Sequence, residues 1–232
     1  MRRLPADDTD WRLHWYAGLI ALTAGRPDRA RRHFETVYDA LPGEPAARLG
    51  LAAACELTGD RAGAARRYER VWRVDHAFVS AAFGLSRMRL SFGDRAGADA
   101  VLDEVPTTSS QQVAAQIAAV RGRLDHRSGP LTEVDFIAAS TRMQRLRLDA
   151  QRQAGLAVEV FQTALGWLGK TGRPAASPAT AAGSMRAHGL TERELRFGLE
   201  RNYRVLATLE NEPQARRALI DEANAARPWT TM

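Results

Sequence analysis

Gly59-Asp60-Arg61-Ala62-Gly63-Ala64 recurs letter for letter as Gly93-Asp94-Arg95-Ala96-Gly97-Ala98, an offset of 34 residues. One further step of 34 toward the N-terminus reaches Gly25-Arg26-Pro27-Asp28-Arg29-Ala30, which keeps the first glycine and the last alanine. Three units therefore share one register, over 11–44, 45–78 and 79–112. The small residue before each turn runs Gly18, Ala52, Ser86, and the bulky one after it runs Phe34, Tyr68, Leu102. A branched apolar residue follows at Val37, Val71 and Val105. Pro42 and Pro106 close the first and third units, and His76 stands near the equivalent place in the second.

Each position has a physical reason. A first helix ends at the glycine, which enters the left-handed cap conformation at little cost. Asp or Pro then opens the second helix, as N-cap or in its first turn. Small residues at Gly18/Ala52/Ser86 and Ala30/Ala64/Ala98 let the two helices approach, and Phe34, Tyr68 and Leu102 fill the space between hairpins. A hairpin cannot cover its own apolar face, so units stack into a curved solenoid. A 34-residue period with this pattern resembles the tetratricopeptide repeat. The fold expected is therefore all-α, a tetratricopeptide-repeat helical solenoid. The aromatic positions depart from the family: its Trp at the fourth position of a unit is His14 in the first.

Beyond residue 112 the period fades. Residues 111–127 read as a helix with Val113, Ile117, Val120 and Leu124 apolar, ended by Ser128-Gly129-Pro130. Thr132-Glu133-Val134-Asp135 opens another, with Thr132 as N-cap and Asp135 as the capping-box acid. The pair reads as a degenerate fourth repeat over 113–148. A break near Leu148-Asp149 precedes an extra helix within 149–168, which completes a solenoid over 1–168. Gly169, Gly172, Pro174, Pro178 and Gly183 mark 169–189 as a linker. Thr191-Glu192-Arg193-Glu194 starts a helix to Leu209 with Leu195, Leu199, Tyr203 and Leu206 on one face. A last helix covers 213–226 before Pro228, and 190–232 is expected as a helical cap.

Composition narrows the function classes. The formal charge is +6 over 232 residues, and Lys170 is the only lysine among 33 basic residues. Arginine is spread through every predicted helix, usually beside acids, as at Glu69, Arg70 and Arg73. Nucleic-acid binding wants arginines on one face with stacking aromatics, so a solvated surface is expected instead. Cys55 is the single cysteine, which excludes a disulfide framework and reads as a small buried residue. The first eight residues lack the apolar run of a signal peptide, and no stretch approaches the ~18 apolar residues of a membrane span. A cytoplasmic chain with no membrane partner is expected.

Chemistry-bearing motifs are missing. There is no phosphate-binding glycine loop, no dinucleotide fingerprint, and none of the kinase segments Val-Ala-Ile-Lys, His-Arg-Asp or Asp-Phe-Gly. His14, His33, His76, His126 and His188 stand at no metal-ligand spacing. Glu192 and Glu194 suit a helix N-terminus without catalysis. No catalytic residue, metal or cofactor is expected.

Longer stretches carry a more specific resemblance. Asp10-Trp11-Arg12-Leu13-His14-Trp15-Tyr16-Ala17-Gly18-Leu19, Val37-Tyr38-Asp39-Ala40-Leu41-Pro42-Gly43-Glu44 and Val105-Pro106-Thr107-Thr108-Ser109-Ser110 look like the C-terminal repeat region of the actinobacterial serine/threonine protein kinase G family. So do Val79-Ser80-Ala81-Ala82-Phe83-Gly84-Leu85, Leu131-Thr132-Glu133, Leu190-Thr191-Glu192 and Asp221-Glu222-Ala223-Asn224-Ala225-Ala226-Arg227-Pro228. In that family a rubredoxin-like metal module and a kinase domain precede the repeats. One cysteine cannot build the four-thiolate site, so the resemblance implies the non-catalytic repeat region. Its implied role is self-association, as a homodimer, and docking of a kinase domain or its substrates.

In tetratricopeptide folds the first helix of each repeat lines the concave face. Carried onto this register, a partner would meet Trp15, Leu19, Leu49, Ala53, Phe83 and Arg87. The clamp some relatives use for acidic peptide C-termini needs Lys and Asn where Trp15, Leu19 and Gly50 stand. A second reading is a free-standing repeat regulator binding an unrelated protein or peptide. A third, an enzyme in the C-terminal helices, has no paired residues behind it.

Overall fold

The computed structural model describes residues 10–171 and 191–228. Among them it forms eleven α-helices and one 3-10 turn, with no strand. The readings of residues 1–8, of most of the expected linker (172–189) and of Leu190 fall outside the described residues. The chain divides into two compact units, residues 1–112 and 113–232.

Three hairpins build the first unit: α1 (Trp11–Thr23) with α2 (Pro27–Ala40), α3 (Pro45–Leu57) with α4 (Arg61–Val74), and α5 (Val79–Ser91) with α6 (Arg95–Asp103). The hexapeptide sets each turn. Gly25, Gly59 and Gly93 adopt φ of 66°, 84° and 81°, the left-handed region where a Cβ is costly. In the first and third hairpins a pair of amide bonds closes the helix end: Gly25 to Leu22 at 3.0 Å with Arg26 to Ala21 at 2.8 Å, and Gly93 to Leu90 with Asp94 to Arg89, both at 2.9 Å. These satisfy carbonyls that the helix end would leave unpaired. Asp60 and Asp94 then cap the next helix, each accepting the amide of Gly63 or Gly97 at 2.8 Å. A Cβ on Gly63 would stand 2.2 Å from the Asp60 carboxylate, which explains the hexapeptide's second glycine.

The bulky residues pack as the register predicts. Phe34, Tyr68 and Leu102 are buried, as are Ala30, Ala64, Ala98, Val37, Val71 and Val105. Phe34 lies on Gly18 of its own hairpin and on Gly50 of the next, where added Cβ atoms would come within 2.6 and 3.0 Å of its ring. Tyr68 repeats the arrangement against Gly84.

The second unit holds α7 (Gln112–Arg123), α8 (Glu133–Arg145), α9 (Ala150–Thr171), α10 (Glu192–Leu209) and α11 (Pro213–Ala226). Phe136, Val120, Val160 and Leu195 are its most deeply buried side chains. Trp167 leans on Phe136 with ring centroids 5.3 Å apart and donates its indole N–H to the Leu131 carbonyl at 2.9 Å. The helix read over 111–127 stops at Arg123, because Asp125 takes the Arg127 amide at 2.9 Å and turns 126–128 into a 3-10 turn. Asp135 accepts the Thr132 amide at 3.0 Å, as a capping-box acid should, and pairs with Arg123 at 3.2 Å. The extra helix runs on to Thr171, past the expected start of the linker at 169.

Two glycines give opposite tests. At Gly84 a Cβ would sit 2.4 Å from the Tyr68 ring, and overpacking of this kind outweighs the helix-propensity gain, so Gly84→Ala is expected to destabilise by about 1–2 kcal/mol. At Gly155, inside α9, nothing lies within 4 Å of the added Cβ, and Gly155→Ala is expected to stabilise by about 0.5–1 kcal/mol. Urea unfolding monitored by circular dichroism reads both.

Candidate protein-docking surface

Within the first unit α1 approaches α3 and α3 approaches α5 more closely than α2 approaches α4. That difference is the one a stack curved toward its first helices would need. Trp15, Leu49 and Phe83 stand 34 residues apart along these helices, and Leu19, Ala53 and Arg87 do the same. The six form two parallel rows. Trp15 is half-buried and tilts against Phe34, centroids 5.4 Å apart, so part of its ring belongs to the core. Leu49, Ala53 and Phe83 are also half-buried, and Leu19 is exposed.

Arg87 is exposed but committed. Its guanidinium donates to both Glu56 oxygens, at 2.6 and 2.8 Å, and the Tyr68 hydroxyl donates to Glu56 at 2.7 Å. The bidentate fork ties α5 to α3 across the repeat boundary. Half-burial pushes the Glu56 carboxyl up, but Arg87 and Tyr68 together outweigh it and hold the carboxyl below its usual range. Burial, with Glu56 as its acceptor, raises the Tyr68 phenol.

The fold adds one histidine contact. Sequence spacing pairs no two histidines, yet the α1–α2 turn brings His14 Nδ1 to 3.1 Å from His33 Nδ1. Burial first, then the charge of His14, Arg29 and Arg32, lowers the basicity of His33. Among the described residues no third His, Cys, Asp or Glu joins them in a metal-sized group. Cys55 is buried, and that burial pushes its thiol up.

A second surface was not singled out in the sequence. Leu13, Tyr16 and Ile20, at i, i+3 and i+7 of α1, are 60%, 63% and 67% exposed. The signal was present: α1 is apolar almost all the way round, which a helix with one packed side does not need. Among the described residues no helix is long and apolar enough to cross a membrane.

Helical hairpins of 34 residues, stacked on glycine-backed aromatic contacts, define a tetratricopeptide-repeat protein, the class whose surfaces hold other proteins. Residues 1–230 match the family described as Protein kinase G tetratricopeptide repeat, and the chain belongs to that family. It is 35% identical over 222 residues to the serine/threonine-protein kinase PknG of Mycolicibacterium smegmatis, and 34% identical over 223 residues to that of Mycobacterium leprae. The alignments cover 95% and 96% of this chain but 28% of each relative, so the chain spans under a third of the length of the kinases it matches. A solved tetratricopeptide repeat protein from Parabacteroides merdae aligns with a TM-score of 0.49 at 13% identity, over 97% of this chain and 88% of that one.

The Glu56 clamp yields a pH test. A carboxyl held below its unfolded value stabilises fully above about pH 4.5, and loses that contribution as pH falls through the folded value. The wild-type urea midpoint is therefore expected to drop below about pH 5, with a shallower drop in Glu56→Gln. Arg87→Ala is expected to cost about 1 kcal/mol at neutral pH, less than a buried charged bond because Arg87 is 55% exposed.

Proposed function

We propose that the chain is a non-catalytic protein-interaction and self-association module of a protein kinase G-type serine/threonine kinase. It braces the kinase domain or docks the kinase's partners, works in the cytoplasm, and uses neither metal nor cofactor. The observation that carries this reading is the apolar face of α1, where Leu13, Tyr16 and Ile20 stand open on one side of a helix whose other side packs on α2. Three large apolar side chains in one stripe are the kind of patch that a partner covers. At about 25 cal/mol per Å² of apolar area removed from water, covering them is worth several kcal/mol before association costs. The rows of Trp15, Leu49 and Phe83 with Leu19, Ala53 and Arg87 offer a second surface, and the relatives, serine/threonine-protein kinases, supply the setting.

Light scattering after gel filtration, on the chain alone and mixed with the kinase domain of a family member, tests the reading. A dimer or a stable complex is expected, weakened at least about tenfold by Ile20→Glu or Leu13→Glu, since a buried charge disfavours association. A wild-type monomer that ignores the kinase domain would overturn it in favour of an independent repeat regulator.

A further inference from the structure

A trough of about 560 Å³ lies between α2 and α4, floored by α3. We propose that this trough binds a phosphorylated segment of a partner protein, with Arg66, Arg67 and Arg70 of α4 and Arg48 of α3 receiving the phosphoryl group. The site lies away from the α1 face, and the proposal stands or falls independently of the docking reading.

The charges lining the trough are unevenly matched. Glu35 is taken by Arg31 at 3.0 Å and Glu69 by Arg73 at 2.8 Å. That leaves Arg48, Arg66, Arg67 and Arg70 with Asp39 as the one lining carboxylate that makes no ion pair among the described residues, while Asp60, at the head of α4 and outside the lining, feels the charge of Arg66 and Arg67. Arg67 and Arg48 are steadied by carbonyls, Gly63 at 3.1 Å and Pro42 at 3.2 Å, so part of the cationic wall is already ordered. Arg48 also donates to the Tyr38 hydroxyl at 3.4 Å and lies 5.5 Å from the centre of its ring. That bond and charge, with Arg70 and Arg67 beyond, lower the Tyr38 phenol.

The repeat register shows that folding does not require these arginines. One unit further on, the places of Arg48, Arg66 and Arg67 hold Ala82, Ala100 and Val101, and that of Arg70 holds Glu104, the C-cap of a shorter second helix, in a hairpin that still forms. A guanidinium cluster dispensable to the scaffold has the geometry to take phosphate oxygens bidentately. Its surroundings choose among phosphate-bearing ligands. Tyr38 is the one aromatic ring lining the trough and offers no ladder for stacked bases, which an extended nucleic acid would need. Leu51 and Val74 give an apolar floor and edge suited to the side chains flanking one phosphorylated residue.

The test is fluorescence anisotropy of a labelled nine-residue peptide, a central phosphothreonine flanked by Ala, Gly and one Arg, against its unphosphorylated twin. The phosphorylated form is expected to bind at least about tenfold tighter, with the difference shrinking as salt rises. Arg66→Glu combined with Arg70→Glu should abolish the preference, and so should the charge-neutral pair Arg66→Gln and Arg70→Gln. Arg61→Glu, exposed on the same helix outside the trough, should keep it. Equal affinity for the two peptides, or a preference that survives either double variant, would overturn the proposal. So would displacement by inorganic phosphate as effective as by the peptide, which marks a simple anion site, or tighter binding of a single-stranded oligonucleotide.

Discussion

The rings of Phe34 and Tyr68 lie directly on helix backbone, at Gly18 and Gly50 for the first and at Gly84 for the second. No side chain separates ring from helix at these points, so the first helices of successive hairpins are pulled close together. The second helices carry these rings and do not approach one another as the first helices do. This asymmetry of size favours a stack that curves toward its first helices. Close packing also makes the arrangement intolerant: a methyl group at Gly84 has nowhere to go without moving either the Tyr68 ring or α5.

Tyr68 links packing to electrostatics. Its ring fills the inter-repeat space while its hydroxyl reaches Glu56, and Arg87 completes the pairing from the next repeat. An isolated exposed ion pair contributes little. Here the carboxylate is half-buried and receives three hydrogen bonds, so its geometry is fixed by the ring that sets the helix spacing. The first and third repeats have Leu22 and Leu90 in the place of Glu56. The middle repeat is therefore joined to its successor by a charged clamp as well as by apolar contact.

The fold was legible because it repeats. Gly59 and Gly93, Asp60 and Asp94, Tyr68 and its counterparts each perform one local task, and a 34-residue copy confirms the assignment without any long-range knowledge. The capping box at Thr132 and Asp135 and the helix starts at Thr191 and Pro213 were legible for the same reason: caps are local. What stayed hidden depends on tertiary approach. His14 and His33 meet only because a turn folds α2 back on α1, and nineteen residues of separation carry no metal-ligand signature. The early stop of α7 turns on Asp125 preferring the Arg127 amide and guanidinium over a continued helix, a competition that periodicity does not register. The two rows of candidate residues were placed by register, but the division of Trp15 between core and surface needed the position of Phe34.

Arginines spaced evenly along a sequence read as a solvated surface, and one at a time most of them are. Stacking changes their meaning. Arg48 belongs to a first helix and Arg66, Arg67 and Arg70 to a second one, and the four share a trough. Pairing then removes Glu35 and Glu69 from the balance, each held by an arginine of its own helix. Repeat proteins keep their scaffold positions in register, so charge that breaks the register is free to vary without harming the stack. The residues that differ between otherwise similar hairpins are where function can be written, and on α4 the places of Arg66 and Arg67 hold Ala100 and Val101 one repeat later.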